Sequence, residues 1–182
     1  QMARMHGGSA SVVSEPGKGS RFSIMLPWEP ALAVDTVERL KTTGKFKAVK
    51  FNKDQKPTIL LIEDTEEVIM MLSDYLELNG FKIITARDGL EGITQAQLTH
   101  PDLILMDIQM PRMDGFETTK KLRSEPEFKT TPIIALTALA MQNDRERCLA
   151  AGMDEYITKP VHLRALVKMI ELFLSGEKKK KK

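Results

Sequence analysis

Asp102-Leu103-Ile104-Leu105-Met106 runs into Asp107, and Ile108-Gln109-Met110-Pro111-Arg112-Met113-Asp114-Gly115 follows. The apolar run is too short for a helix and does not alternate with polar residues. It therefore reads as a strand buried on both faces, as in a parallel sheet covered by helices. Working outward, the same pattern recurs. Thr58-Ile59-Leu60-Leu61-Ile62 ends in Glu63-Asp64, Pro132-Ile133-Ile134-Ala135-Leu136 ends in Thr137, and Glu155-Tyr156-Ile157-Thr158 ends in Lys159-Pro160. In open α/β sheets, ligands bind beyond the carboxyl ends of the strands. Three acids, a hydroxyl and an ammonium are thus expected at one edge.

Between these runs the periodicity is helical. Val68, Met71, Leu72, Tyr75 and Leu76 share a face before the stop at Asn79-Gly80, and Phe81 to Thr85 is a second strand. Asp88 opens a helix through Leu90, Ile93 and Ala96, and Asp114 opens one reaching about Ser124. A helix around Met141 to Ala151 stops at Gly152, and the last one displays Leu163, Leu166, Val167, Ile170 and Leu174. Five strand-helix repeats predict a doubly wound α/β sandwich with a five-stranded parallel sheet and five helices.

At 182 residues the chain has room for one domain and an appendage. Residues 57 to 176 hold 19 acidic against 12 basic side chains, which argues against nucleic-acid binding. The run Lys178 to Lys182 reads as a solvated tail. No apolar stretch approaches the roughly 20 residues of a membrane span, and nothing near Gln1 reads as a signal peptide. A lone Cys148 excludes an internal disulfide and favours a cytoplasmic setting, with the thiol as a packed small hydrophobe. His6, His100 and His162 are too scattered for a metal cage.

Three carboxylates at strand ends repel one another unless a cation holds them. Glu63, Asp64 and Asp107 suit a hard divalent ion such as Mg²⁺, and the backbone carbonyl of Gln109 could add a ligand if the loop folds back. Lys159 could balance Asp107, its approach restricted by Pro160. Each residue also has a plainer reading. Glu63-Asp64 with Thr65, Glu66 and Glu67 would cap the next helix, Thr137 would cap another, Lys159 would be a solvated charge and Tyr156 a packing residue. Jointly they are stronger, because all sit at one edge of one sheet.

Residues 57 to 174 resemble the receiver domain of two-component response regulators. The likeness runs through Leu60-Leu61-Ile62-Glu63-Asp64, Leu105 to Gly115, Ile134-Ala135-Leu136-Thr137-Ala138 and Tyr156-Ile157-Thr158-Lys159-Pro160. The successive intervals of 43 residues from Asp64 to Asp107, 30 on to Thr137 and 22 on to Lys159 suit it too. The resemblance implies a flavodoxin-like fold and a phosphorelay role, with no enzymatic turnover by this chain. It makes Asp107 the acceptor of a phosphoryl group from phosphohistidine, with Mg²⁺ on Glu63, Asp64, Asp107 and the Gln109 carbonyl. Lys159 would contact the phosphoryl group, Thr137 and Tyr156 would form the switch, and Gln109 and Leu139 would occupy positions that tune acyl-phosphate lifetime. Glu63 stands where the family often has aspartate, which leaves direct or water-mediated coordination open at that side chain.

The first 28 residues are different. Ala10 to Glu15 and Ser20 to Leu26 flank Pro16-Gly17-Lys18-Gly19 and read as a hairpin, too small to be stable alone. Gly17-Lys18-Gly19-Ser20 lacks the spacing of a phosphate-binding P-loop. With Met5-His6-Gly7-Gly8 and Leu26-Pro27, this segment is similar to the end of histidine-kinase ATP-binding domains. The resemblance implies a fragment of a hybrid sensor kinase: remnant 1–28, linker 29–56, receiver 57–176 and tail 177–182. The donor would be the chain's own kinase core or a histidine phosphotransfer protein. Whether residues 1–56 fold onto the receiver, extend freely or mediate a dimer stays open. The competing functions are a Mg²⁺-dependent phosphatase with an aspartyl-phosphate intermediate, which would want an acid at Gln109, and a receiver-like module that never takes phosphate.

Overall fold

The computed structural model describes residues 9–15, 19–25, 56–138 and 142–175, with side chains in 56–138 and 146–175. Strands β1 (Ser9–Glu15) and β2 (Gly19–Met25) pair antiparallel, with Ser9 opposite Met25 and Glu15 opposite Gly19, so the expected hairpin forms. The turn residues Pro16 to Lys18, the linker up to Gln55, Leu139 and the Lys-rich tail lie outside the described residues. The chain divides into two units, 1–32 and 33–182, and the second carries the rest of the fold.

That unit alternates β3 (Thr58–Ile62), α1 (Glu66–Leu78), β4 (Lys82–Ala86), α2 (Gly89–Thr99), β5 (Leu103–Asp107), α3 (Gly115–Ser124), β6 (Ile133–Thr137), α4 (Gln142–Ala151), β7 (Glu155–Thr158) and α5 (Leu163–Ser175). The five strands pair parallel in the order β4-β3-β5-β6-β7. The order reverses at β3, so the ends of β3 and β5 flank the crevice where such sheets bind ligands.

Both faces of the central strands β3, β5 and β6 are dry, which is why their runs do not alternate. Ile59, Leu61, Leu103, Leu105, Ile134 and Leu136 point to the side covered by α1 and α5. Leu60, Ile62, Ile104, Met106, Ile133 and Ala135 point to the other, where Ala96, Leu122 and Cys148 of α2, α3 and α4 meet them. Cys148 is buried as expected of a small hydrophobe.

Several expectations shift by a residue or a rotation. The second strand is Lys82–Ala86, because Phe81 belongs to the end of α1. Gly80 takes φ +90 and donates to Glu77 O, while the Phe81 amide donates to Leu76 O and its ring is buried. This six-to-one closure uses the left-handed conformation that glycine adopts without cost. The buried stripe of α1 is Ile69, Leu72 and Leu76, and Met71 is 44% exposed. A run with Met70 and Met71 beside Ile69 offers two overlapping apolar stripes, and packing chose the other. In α2, Leu90 faces solvent and the buried face is Gly89, Gly92 and Ala96. The small face lets α2 sit close: a Cβ on Gly92 would lie 2.4 Å from Ile62 Cδ1. Helix α5 buries Leu166, Met169, Ile170, Phe173 and Leu174, with Leu163 and Val167 at its margin.

Asp88 and Asp114 cap as expected. Asp88 accepts from the Leu90 and Glu91 amides, and Asp114 from the Glu117 amide.

Candidate functional site

The register delivers the site residues to one edge. Asp107 is the last residue of β5 and pairs with Leu136, one residue before Thr137 at the end of β6. Thr137 in turn pairs with Thr158, and the Lys159 amide donates to Thr137 O at 2.7 Å. Glu63 and Asp64 follow β3, with the Glu63 amide donating to Ala86 O. The Lys159–Pro160 peptide bond is cis.

Carboxylate oxygens of Glu63, Asp64 and Asp107 lie within 4.8 Å of one another. Glu63 and Asp107 are buried and Asp64 is exposed at the rim. Lys159 Nζ reaches both buried acids, 2.7 Å from Glu63 Oε2 and 3.0 Å from Asp107 Oδ2. Burial pushes the Glu63 carboxyl above its ordinary range and nearby Asp107 adds to the rise, against the hydrogen bonds from Lys159 and the Thr65 amide. Burial acts to lower the Lys159 ammonium, yet its hydrogen bonds to Glu63 and Asp107 and their charges together hold it above the usual lysine value. Lys159 therefore lies between two acids rather than in solvent, 25% exposed along its side chain.

Capping does not account for these residues either. Thr65 is the N-cap of α1, but its side chain makes no capping hydrogen bond and instead donates to Asp64 Oδ1 at 3.3 Å. Glu66 pairs with Arg87. Thr137 is a buried strand residue, and α4 begins at Gln142. Tyr156 is half-buried in β7 against the cluster under α2 to α4. The Gln109 amide donates to Asp107 Oδ1 at 3.3 Å, a local turn at the end of β5. Three acid oxygens against one ammonium leave surplus negative charge of a kind that fits a hard divalent cation with open water positions.

A family model described as the response regulator receiver domain matches residues 59–171. The chain belongs to the response regulator receiver family. It is 39% identical over 117 residues to the polar-differentiation response regulator DivK of Brucella ovis, covering 64% of this chain and 95% of that one. Among solved structures it is similar to the chemotaxis protein CheY4 of Vibrio cholerae, with 31% identity, a TM-score of 0.63, and 65% and 99% of the two chains covered. It is also similar to the receiver domain of a sensor histidine kinase from Pseudomonas aeruginosa that has a magnesium ion coordinated in its active site cleft. There identity is 34%, the TM-score 0.62, and coverage 66% and 98%. The receiver has the family's flavodoxin-like sheet and its role as a phosphoacceptor in a phosphorelay.

Sequence reasoning missed Arg123. On α3, far along the chain from the edge residues, it donates to the carbonyls of Gly152 (2.8 Å), Thr131 (2.8 Å) and Phe128, and pairs with Asp154 at 2.8 Å. Asp154 also accepts from the Ile133 amide at 2.8 Å, so one side chain ties α3 to the entries of β6 and β7. The only sequence signal was an Arg in the last turn of a helix, which is too common to be read.

Proposed function

We propose that Asp107 is the phosphoacceptor and that Lys159 is the group that prepares it. The observation that carries this is the ammonium held between Glu63 and Asp107 beside a three-acid cluster. An Asp107 oxygen attacks phosphorus in line, the P–N bond to the donor imidazole breaks, and the nitrogen keeps the electron pair. Such transfers depend on positioning and electrostatic stabilisation more than on covalent chemistry. Lys159 neutralises charge on the phosphoryl oxygens as it arrives. Glu63, Asp64, Asp107 and the Gln109 carbonyl would hold Mg²⁺, which supplies charge neutralisation on those same oxygens. Thr137, buried at the adjacent strand end, donates its hydroxyl to the acyl phosphate, and Tyr156 turns inward with it.

The setting belongs to the same proposal. Residues 57–176 are the receiver of a hybrid sensor histidine kinase, 1–28 the remnant of its ATP-binding domain, 29–56 a linker and 177–182 a tail. The donor is a phosphohistidine on the parent's kinase core or on a phosphotransfer protein, in the cytoplasm. Among the described residues no helix is long and apolar enough to cross a membrane.

Labelling by a small-molecule phosphodonor with Mg²⁺ tests the assignment. Wild type is expected to label stoichiometrically and once, and Asp107→Asn not at all. Full labelling of the variant would sink it, and continuous phosphate release would point to a phosphatase.

A further inference from the structure

The loop after Asp107 carries an ion pair that the phosphoacceptor reading does not use. The Asp88 side chain is 1% exposed, and its Oδ1 accepts from the Leu90 and Glu91 amides at 2.8 and 3.0 Å. Among the described residues its Oδ2 has no hydrogen-bond donor, and its one charged partner is the guanidinium of Arg112, with which it forms an ion pair. Arg112 comes from the crest of the loop between β5 and α3, and its backbone has φ 67. A residue with a side chain is uncommon in that region, where glycine would sit freely. The arginine is kept in a costly conformation while its charge compensates a dry carboxylate.

The two segments also touch. A Cβ on Gly89, next to Asp88, would lie 3.0 Å from Met113 Cβ and 2.0 Å from Thr118 Oγ1. Backbone hydrogen bonds also tie the loop: the Ile108 amide donates to Leu136 O at 3.2 Å, the Met113 amide to Pro111 O at 2.7 Å across Arg112, and the Gly115 amide to Ile108 O at 3.0 Å. Between those ties stands Gln109. Its amide makes a long hydrogen bond, 3.3 Å, to Asp107 Oδ1.

We propose that Arg112, acting through Asp88, is a positioning residue for phosphoryl transfer: the pair clamps the 108–114 loop and thereby sets the Gln109 carbonyl relative to Asp107. This rests on the reading of that carbonyl as a cation ligand. Neither residue touches the reacting atoms.

The test uses the full chain. Arg112→Gly relieves the backbone but leaves the buried Asp88 carboxylate without its cation, so its Tm should fall modestly. With a chelator present, amide exchange at residues 109, 110, 112 and 113 should quicken in this variant and nowhere else. Mg²⁺ affinity by calorimetry should fall about threefold to tenfold, somewhat less than the ~10–100-fold typical for the direct partner of a metal ligand. Asp88→Asn, which keeps the helix cap, should do the same, and Arg112→Lys should restore most of the affinity. Unchanged loop exchange and affinity in Arg112→Gly would overturn the proposal. So would uniformly faster exchange, which would mark the pair as merely stabilising. The exchange arm needs neither metal nor phosphate, so it fails independently of the Asp107→Asn labelling result.

Discussion

Gly115 lies where the fold and the chemistry are least separable, and replacing it with alanine perturbs both. The new Cβ would stand 2.3 Å from the carbonyl oxygen of Asp107 and 3.0 Å from Ile108 Cα. Both obstacles are backbone, so no rotamer change relieves them. To reach an ordinary separation of about 3.5 Å, the first turn of α3 must retreat from the end of β5 by about 1 Å. Overpacking of that kind costs about 1–3 kcal/mol. The retreat also weakens the Gly115 amide hydrogen bond to Ile108 O, 3.0 Å in the native loop, worth about 1 kcal/mol. Alanine's better helix propensity returns less than about 1 kcal/mol, because Gly115 is the first residue of the helix. The net loss is about 1.5–3 kcal/mol, and for a domain of this size a Tm fall of about 5–15 °C. Because the displaced atoms belong to the acceptor itself, labelling at saturating phosphodonor should slow by at least about tenfold, since a 1 Å misplacement can cost ~100-fold. Gly92→Ala is the control: its Cβ meets the tip of the Ile62 side chain, which can turn, so labelling should survive. Thermal unfolding by circular dichroism and a labelling time course decide the matter. A Gly115→Ala protein within about 1 °C of wild type and labelled at the same rate would refute the reasoning.

Arg123→Ala should cost about 2–4 kcal/mol in urea unfolding, because it strips hydrogen bonds from three carbonyls and leaves Asp154 without its cation. Arg123→Lys should recover less than half, since an ammonium cannot span that set. Glu63 gives a pH dependence. Its raised carboxyl binds a proton more tightly folded than unfolded, so in chelator the wild type should lose stability relative to Glu63→Gln as pH climbs from the ordinary glutamate range through the raised one. A difference that grows the other way on denaturant titration would overturn the burial argument. Gly80→Ala, in open space but at φ +90, should lose about 1–2 kcal/mol with labelling intact, and an unchanged midpoint would discount the backbone cost.

Much of the receiver was legible as a string. Ile59 to Ile62, Leu103 to Met106 and Ile133 to Leu136 are continuous because both faces of the sheet are covered, so the apolar run ends where the strand meets solvent. The polar residue at each end is therefore at the ligand edge, and Glu63, Asp64, Asp107, Thr137 and Lys159 could be nominated from spacing alone. Helix stops at Gly80 and Gly152 and caps at Asp88 and Asp114 were equally plain, since they depend on neighbours within four residues.

What sequence reasoning could not reach depends on distance along the chain. Lys159 and Glu63 are 96 residues apart, and nothing local says that the ammonium bridges two acids instead of facing water. The stripe that α1 buries, and the small-residue face on which α2 seats, were chosen by complementarity with the sheet, a property of pairs of elements. Arg123 and Arg112 read as surface charges until folding brings them to carbonyls and a buried carboxylate that no periodicity announces. Local pattern carries the hydrogen bonds and burial of single elements, whereas the electrostatic partners of the site exist only once the sheet has gathered them.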